Sequence, residues 1–311
     1  MIVRWGLAEL GPLLSELGVE RSLLVTSERW RDLDLPVGQR FTGVRPHAPL
    51  ETVRQAIGAA TGVGGLVGLG GGSAIDTAKA VSAQTGLPLV AVPTTYAGAE
   101  WTPYFGMRDE QQRVKTGGSG AHTVAIVYEP ELTLGLPWSE TGGTAMNALA
   151  HCVEALYPGD LAEARQGAAG IEQWLPRVLA EPGDRKGRTG LLEAARFAGE
   201  ALAKHGLYLG HAMAQALGGR YGLPHGALNA ICLPAAMRFN ESVVPEAIAA
   251  VPVETVEELA RLAGYTRLRE LGVPAEELDE VADATAVRGG ARANPRPASP
   301  EEIAELLRSV W

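Results

Sequence analysis

The pattern of apolar and polar positions along the chain changes near residue 136. In the first part, short apolar runs alternate with segments of helical spacing. The predicted strands are residues 21–26, 65–69, 87–92 and 123–128. The predicted helices that come before and between them are residues 7–17, 50–60 and 74–84. Strands and helices that alternate in this way predict a parallel sheet with right-handed crossovers.

After residue 136, strand-like runs largely stop and segments rich in Ala, Leu and Glu follow. The predicted helices are residues 144–156, 163–180, 190–217, 228–239, 254–263, 275–286 and 300–310. The sequence therefore predicts an α/β domain with a parallel sheet over residues 1–136 and an all-α domain over residues 137–311. A chain of 311 residues is long enough for each domain to bury its own core.

The composition narrows the classes of partner. The chain is 46% hydrophobic and 20% charged, with a net charge of −9. Nucleic acids and anionic membranes are disfavoured as partners because both require basic patches. No secretory signal pattern and no apolar run long enough to span a bilayer are found, so we expect a cytoplasmic protein. Cys152 and Cys232 lie in or beside apolar segments and are expected to be reduced core residues.

A glycine-rich segment, GLGGGSAID at residues 68–76, joins a predicted strand to a predicted helix. Glycines at such a junction let the backbone approach a phosphate, and the helix N-terminus offers unpaired N–H groups to the anion. Ser73 can cap the helix or bind the phosphate. The segment lacks the Walker lysine and the six-residue dinucleotide fingerprint, so a tight turn without a ligand is the alternative.

A second polar segment, PTTYAG at residues 93–98, directly follows the predicted strand 87–92. In an open parallel sheet, ligands bind outside the carboxyl ends of the strands. The hydroxyls of Thr94, Thr95 and Tyr96 are therefore candidates for holding ribose, nicotinamide or substrate. An ordinary turn is the alternative.

The helical domain carries three histidines and an asparagine as candidate reactive groups. Asn147 and His151 are four residues apart on the predicted helix 144–156 and share one face. His211 lies on a later helix, and His225 opens the helix after that. These side chains can hold a metal ion or a substrate, although their spacing is not a recognised zinc signature. Histidines hydrogen-bonded in a helix interface are the alternative.

Four segments of the chain, in this order, resemble motifs of the iron-containing alcohol dehydrogenase family. They are GGGSAIDTAK (70–79), PTTYAGAEWTP (93–103), GGTAMNALAHCVEAL (142–156) and GHAMAQALGGRYGLPHG (210–226). Within the family, PTTYAG, the Lys115-Thr116 pair, the helix around His151 and the NPRP segment at 294–297 are most similar to maleylacetate reductases. The resemblance spans nearly the whole chain. It implies a dehydroquinate synthase-like fold, an active site in the cleft between the domains, and a homodimer.

The resemblance also assigns site residues by position. The pyrophosphate of NADH or NADPH would be held by Gly70, Gly71, Gly72 and Ser73. The ribose and nicotinamide would be faced by Asp76, Thr94, Thr95 and Tyr96. The positions that bind a divalent metal in metal-using members are Asn147, His151, His211 and His225.

Three departures from the family pattern change these expectations. Asn147 stands where metal-using members have Asp, which removes a negative charge and a strong ligand, so we expect a divalent metal to be absent or weakly bound. Gln215 stands where many members have a histidine, which argues against a proton relay at that position. Ser27 stands where NAD-specific members often have Asp, and Arg29 follows it, so we expect NADPH to be tolerated.

The leading hypothesis is an NAD(P)H-dependent reductase of an unsaturated keto acid, similar to maleylacetate reductase. The three histidines of the helical domain, with Tyr96 as a further donor, would stabilise charge that develops on the substrate. A non-redox enzyme recruited on the same scaffold, such as a dehydratase, a cyclase or another lyase, is the alternative. A catalytically silent binding protein is a third possibility.

A small carboxylate substrate requires cationic or polar contacts. Lys115 and Arg288 are candidate cations, and Asn147 is a candidate amide contact.

Overall fold

The computed structural model describes residues 1–311, which form two compact units, Met1–Gly135 and Leu136–Trp311. The first unit contains a six-stranded parallel sheet with the strand order β1-β8-β5-β4-β2-β3, and a separate antiparallel hairpin, β6-β7. The strands are β1 (Ile2–Trp5), β2 (Ser22–Val25), β3 (Gln39–Phe41), β4 (Gly65–Gly70), β5 (Leu89–Pro93), β6 (Phe105–Asp109), β7 (Val114–Gly118) and β8 (Thr123–Tyr128). The helices of this unit are α1 (Leu10–Glu16), α2 (Leu50–Ala59) and α3 (Gly72–Thr85).

Successive residues of the central strands pack on opposite faces of the sheet. Leu24 of β2 and Val67 of β4 belong to a buried cluster that includes residues of α1. Their neighbours Leu23 and Leu66 belong to a second cluster with residues of α2 and α3. Both faces of the sheet are therefore covered, which explains why the strands appear in the sequence as continuous apolar runs.

The second unit consists of helices. They are α4 (Trp138–Ala155), α5 (Ala162–Ala180), α6 (Arg185–His205), α7 (Leu209–Tyr221), α8 (His225–Asn240), α9 (Pro245–Ala250), α10 (Val253–Leu262), α11 (Leu278–Ala286), α12 (Gly289–Arg292) and α13 (Pro300–Ser309). A buried cluster joins side chains of α7, α8, α11 and α13. The prediction of one continuous helix over residues 190–217 is wrong, because α6 ends at His205. The next residue, Gly206, has a φ of 77°, which glycine adopts more readily than residues with a side chain.

Glycines bring α4 and α8 into close contact. A Cβ atom added at Gly226 of α8 would lie 2.2 Å from the carbonyl oxygen of Gly143 in α4. The backbone of α8 therefore begins directly against α4. This contact places His225, the first residue of α8, beside the helix that carries Asn147 and His151.

The structure confirms the predicted fold class, an α/β unit with a parallel sheet followed by an all-α unit. Cys152 and Cys232 are buried free thiols, as expected. None of the helices combines the length and the hydrophobicity that a membrane span needs. Strands β1 and β3 and the β6-β7 hairpin were not predicted from the sequence.

Candidate active site

The glycine-rich segment forms the turn between β4 and α3. Gly71 is the N-cap of α3, and no side chain caps this helix. Gly70 has a φ of 141°, and a Cβ atom there would lie 2.8 Å from the Cβ of Ala74. A Cβ atom at Gly71 would lie 2.9 Å from Cγ2 of Thr95. The turn thus requires glycine, and it presents bare backbone and the N–H groups of a helix N-terminus, the arrangement that binds phosphate.

The predicted polar residues after the strands lie at neighbouring strand ends. The backbone N–H of Thr94 donates to the carbonyl of Gly70 at 3.0 Å, which joins the ends of β5 and β4. Thr95 packs against the glycine turn, and Tyr96 is fully buried. Ser27 follows the adjacent strand β2 and forms an antiparallel bridge with Gly43. The carboxyl ends of three adjacent strands therefore carry the predicted cofactor residues.

Two further predicted residues fix loops to the start of α3. The hydroxyl of Ser73 accepts the backbone N–H of His47 at 2.9 Å. The carboxylate of Asp76 accepts the backbone N–H of Gly106 in β6 at 3.1 Å. A Cβ atom at Gly106 would lie 3.4 Å from both Oδ2 of Asp76 and Nζ of Lys115, so the lysine lies beside this carboxylate. Burial raises the pKa of Asp76, while the charges of Lys79 and Lys115 oppose the shift.

The histidines predicted in the helical domain do converge. The ring centroids of His151 and His211 are 4.8 Å apart and stacked, and those of His211 and His225 are 5.7 Å apart. His151 and His211 are buried. Desolvation, and then the neighbouring His211, hold the pKa of His151 well below its usual range, so His151 is neutral at pH 7.

An asparagine that was not predicted links two sides of this cluster. Nδ2 of Asn229 donates to Oδ1 of Asn147 at 2.6 Å and lies 3.1 Å from Nε2 of His225. Nδ2 of Asn147 in turn lies 3.5 Å from Nε2 of His151. The two amides thereby connect His225 to His151 and restrict the orientation of both rings.

A buried carboxylate, also not predicted, orients His211. Oε2 of Glu154 lies 2.8 Å from Nδ1 of His211, and both side chains are almost completely inaccessible to solvent. The same carboxylate accepts the backbone N–H of Tyr208 at 2.6 Å and that of His211 at 3.2 Å. Nε2 of His211 is buried and has no protein partner. With Nδ1 held by Glu154, this free nitrogen is the atom of the ring that can exchange a proton with a ligand.

Sequence spacing contained a signal for both missed residues. Asn229 follows His225 by four positions and Glu154 follows His151 by three, so each shares a helix face with a predicted histidine. The contact between Glu154 and His211 spans 57 positions and required the fold. A Cβ atom at Gly210 would lie 3.0 Å from Oε1 of Glu154, so this glycine leaves room for the carboxylate.

The four positions that bind a metal in metal-using relatives form a poor donor set in this arrangement. No group of three or more His, Cys, Asp or Glu side chains is placed to hold a metal ion. Asn147 contributes a neutral amide, whose oxygen already accepts from Asn229. The set therefore lacks the anionic oxygen that metal-using members have at this position, which weakens it as a site for a divalent ion. The metal content of the protein stays a prediction.

Comparison with known proteins gives the context of this site. The model of the iron-containing alcohol dehydrogenase family matches residues 2–128, and the model of the C-terminal part of that family matches residues 141–311. The chain belongs to the iron-containing alcohol dehydrogenase family. It is 33% identical to a maleylacetate reductase of Pseudomonas knackmussii over 98% of this chain and 93% of the relative. It is 33% identical to maleylacetate reductase 1 of Rhodococcus opacus over 96% of this chain and 90% of the relative.

A solved structure supports the same assignment. The crystal structure of maleylacetate reductase from Rhizobium sp. strain MTP-10005 has a TM-score of 0.90 and 30% identity, covering 100% of this chain and 95% of that one. As a member of the iron-containing alcohol dehydrogenase family, the protein is an NAD(P)H-dependent oxidoreductase that binds NAD(H). This assignment favours the reductase hypothesis over a non-redox enzyme on the same scaffold.

Proposed function

We propose that the protein reduces a small unsaturated keto acid in a reaction similar to that of maleylacetate reductase. The observation that carries the proposal is the pairing of Glu154 with Nδ1 of His211, which leaves the buried Nε2 without a protein partner. When it is bound, the reduced nicotinamide supplies a hydride. A reductase also needs a group that delivers a proton where negative charge develops on the substrate.

His211 is the residue we assign to that proton transfer. In its protonated form the ring carries a proton on each nitrogen, and Glu154 accepts the one on Nδ1. Nε2 can then donate to the substrate enolate that forms as hydride adds to the unsaturated carbon. The electron pair of the carbon–carbon double bond, held in the enolate, forms the new C–H bond with this proton. The product is the saturated keto acid. His151 and the amide of Asn147 would contact the substrate beside His211.

The first unit supplies the groups for cofactor binding. The bare turn at residues 70–72 and the uncapped start of α3 suit the pyrophosphate. Ser27 has no carboxylate to repel a 2′-phosphate, and we propose that NADPH is tolerated on this ground alone. Arg29 does not add to the argument, because it donates to the carbonyl of Gly135 at 2.8 Å and lies over the ring of Trp30.

Two measurements test the proposal. Titration of the purified protein with NADH and NADPH, followed by nicotinamide fluorescence, should show saturable binding. Oxidation of the bound cofactor should then depend on maleylacetate and should persist after treatment with a chelator. Absence of turnover with maleylacetate would refute the proposed substrate, and loss of turnover on chelation would refute the metal-free site.

The homodimer implied by the resemblance stays a prediction, which light scattering can check.

A further inference from the structure

Arg288 is a partly buried cation without an anionic partner. It is the N-cap residue of α12, and its Nη1 lies 3.4 Å from Oε1 of Gln215. Its Nε is buried and has no hydrogen-bond partner. Burial lowers its pKa, with no contribution from a nearby carboxylate, and the group remains charged because a guanidinium does not lose its proton in proteins. In contrast, the buried Lys79 of the first unit has Asp76 at 3.9 Å.

The position of Arg288 relates it to the histidine cluster. Gln215 follows His211 by four positions on α7, which is about one turn, or roughly 6 Å of rise. Tyr208 is the N-cap residue of α7. A Cβ atom added at Gly290 of α12 would lie 2.7 Å from the carbonyl oxygen of Tyr208. The segment 288–290 therefore contacts α7 on both sides of His211 along the chain. The contact with Gln215 therefore holds the guanidinium against α7, about one turn from the histidine that we assign to proton transfer.

An unpaired, partly buried guanidinium is costly unless an anion completes it. The planar N–H fork of arginine matches a carboxylate in two parallel hydrogen bonds. We propose that Arg288, oriented by Gln215, binds a carboxylate of the substrate. This inference rests on the proposed function and specifies the substrate class: a short keto acid whose carboxylate lies a few bonds from the reacting carbon. Neutral enones and aldehydes lack the group that this contact requires.

A direct binding experiment tests the site without turnover. Succinate, an unreactive dicarboxylate, is titrated into the wild-type protein and into Arg288→Gln by calorimetry. Because a hydrogen bond to a charged group contributes about 1.5–3 kcal/mol, we expect the dissociation constant to rise about 10- to 100-fold. The KM for maleylacetate should rise by a similar factor, with a smaller effect on kcat, and Arg288→Lys should recover part of the affinity. Arg292→Gln, an exposed arginine on the same short helix, is the matched control and should bind succinate as wild type does.

A second variant tests the site while keeping the arginine. Gln215→Glu places a carboxylate beside Arg288, so it should displace succinate by forming an internal ion pair without disturbing the fold. Unchanged succinate affinity in both Arg288→Gln and Gln215→Glu would overturn the proposal, as would failure of the wild-type protein to bind succinate. If Arg288→Gln weakened the binding of NADH and left the binding of succinate unchanged, the cation would be assigned to a cofactor phosphate. That result would also overturn the proposal. Absence of turnover with maleylacetate refutes the proposed function, whereas the succinate titration still reports on Arg288.

Discussion

Replacement of Glu154 by Gln changes one atom of the carboxylate that holds His211. In the wild type, this carboxylate accepts three N–H groups: Nδ1 of His211 at 2.8 Å and the backbone N–H groups of Tyr208 and His211 at 2.6 and 3.2 Å. An amide keeps one oxygen, and its NH2 group must face at least one of these donors. The side chain is completely buried, so water cannot replace the lost acceptor.

The expected loss of stability is modest, and the expected loss of activity is large. A buried donor left without an acceptor costs about 1–3 kcal/mol of unfolding free energy. Loss of an oriented acid–base group lowers turnover by about 10²- to 10⁴-fold. Glu154→Gln should therefore fold with a slightly lowered Tm and lose at least about 10²-fold in kcat. Glu154→Ala leaves all three donors unpaired and is expected to cost about 3–5 kcal/mol, so Gln is the informative replacement.

The assay is NADH oxidation in the presence of maleylacetate, together with the dissociation constant of NADH and a thermal unfolding curve. Glu193→Gln, at an exposed position on α6, is the matched control and should behave as wild type in all three measurements. The affinity for NADH should be unchanged in Glu154→Gln, because the residues that we propose for cofactor binding lie in the first unit. A variant with a lowered Tm and wild-type turnover would refute the reasoning, since Glu154 would then only stabilise the helix that begins at Leu209.

Three further predictions concern the metal, the glycine turn and a buried carboxylate. Asn147→Asp restores an anionic oxygen beside the histidines, so the variant should retain a divalent ion through dialysis that strips the wild type; equal metal content by elemental analysis would contradict this. In Gly70→Ala the alanine must adopt a φ of 141°, and its Cβ would crowd Ala74. The dissociation constant of NADH should therefore rise at least tenfold (about 1.4 kcal/mol). Gly58→Ala, at a position with open space around it, is the control and should match wild type. Burial raises the pKa of Glu100, so the folded state binds its proton more tightly than the unfolded state does. Between that raised pKa and the ordinary carboxyl value, falling pH should therefore stabilise the wild type relative to Glu100→Gln; a pH-independent difference in urea unfolding would refute this.

Local patterns in the sequence were sufficient to predict the parallel sheet. The predicted strands 65–69 and 87–92 are apolar runs, and the strands that the structure forms there, Gly65–Gly70 and Leu89–Pro93, are buried throughout. Such a run can be recognised in the sequence without knowing which distant residues cover it. The glycine turn was predictable for the same reason, because the constraint at Gly70 comes from its own φ and from Ala74. Residues that are close in sequence determine both features.

The missed features depend on contacts between distant segments. The hairpin of β6 and β7 has little apolar alternation. It is joined to α3 by the hydrogen bond from the backbone N–H of Gly106 to the carboxylate of Asp76. Helix α4 begins at Trp138, six positions before the predicted start, because Gly142 and Gly143 serve close packing against other helices and do not interrupt the helix. No local rule indicates that Glu154 meets His211, since both are separately compatible with ordinary helix positions.

Glu154 serves two purposes with one carboxylate. It orients the His211 ring, and it satisfies the backbone N–H groups at the start of α7. Descendants of this scaffold that abandon reduction would still gain stability from the second contact. Across such lineages, Glu154 should persist while His211 drifts to other residues. Retention of the glutamate with loss of the histidine would therefore identify lineages that kept the fold and lost the reductase activity.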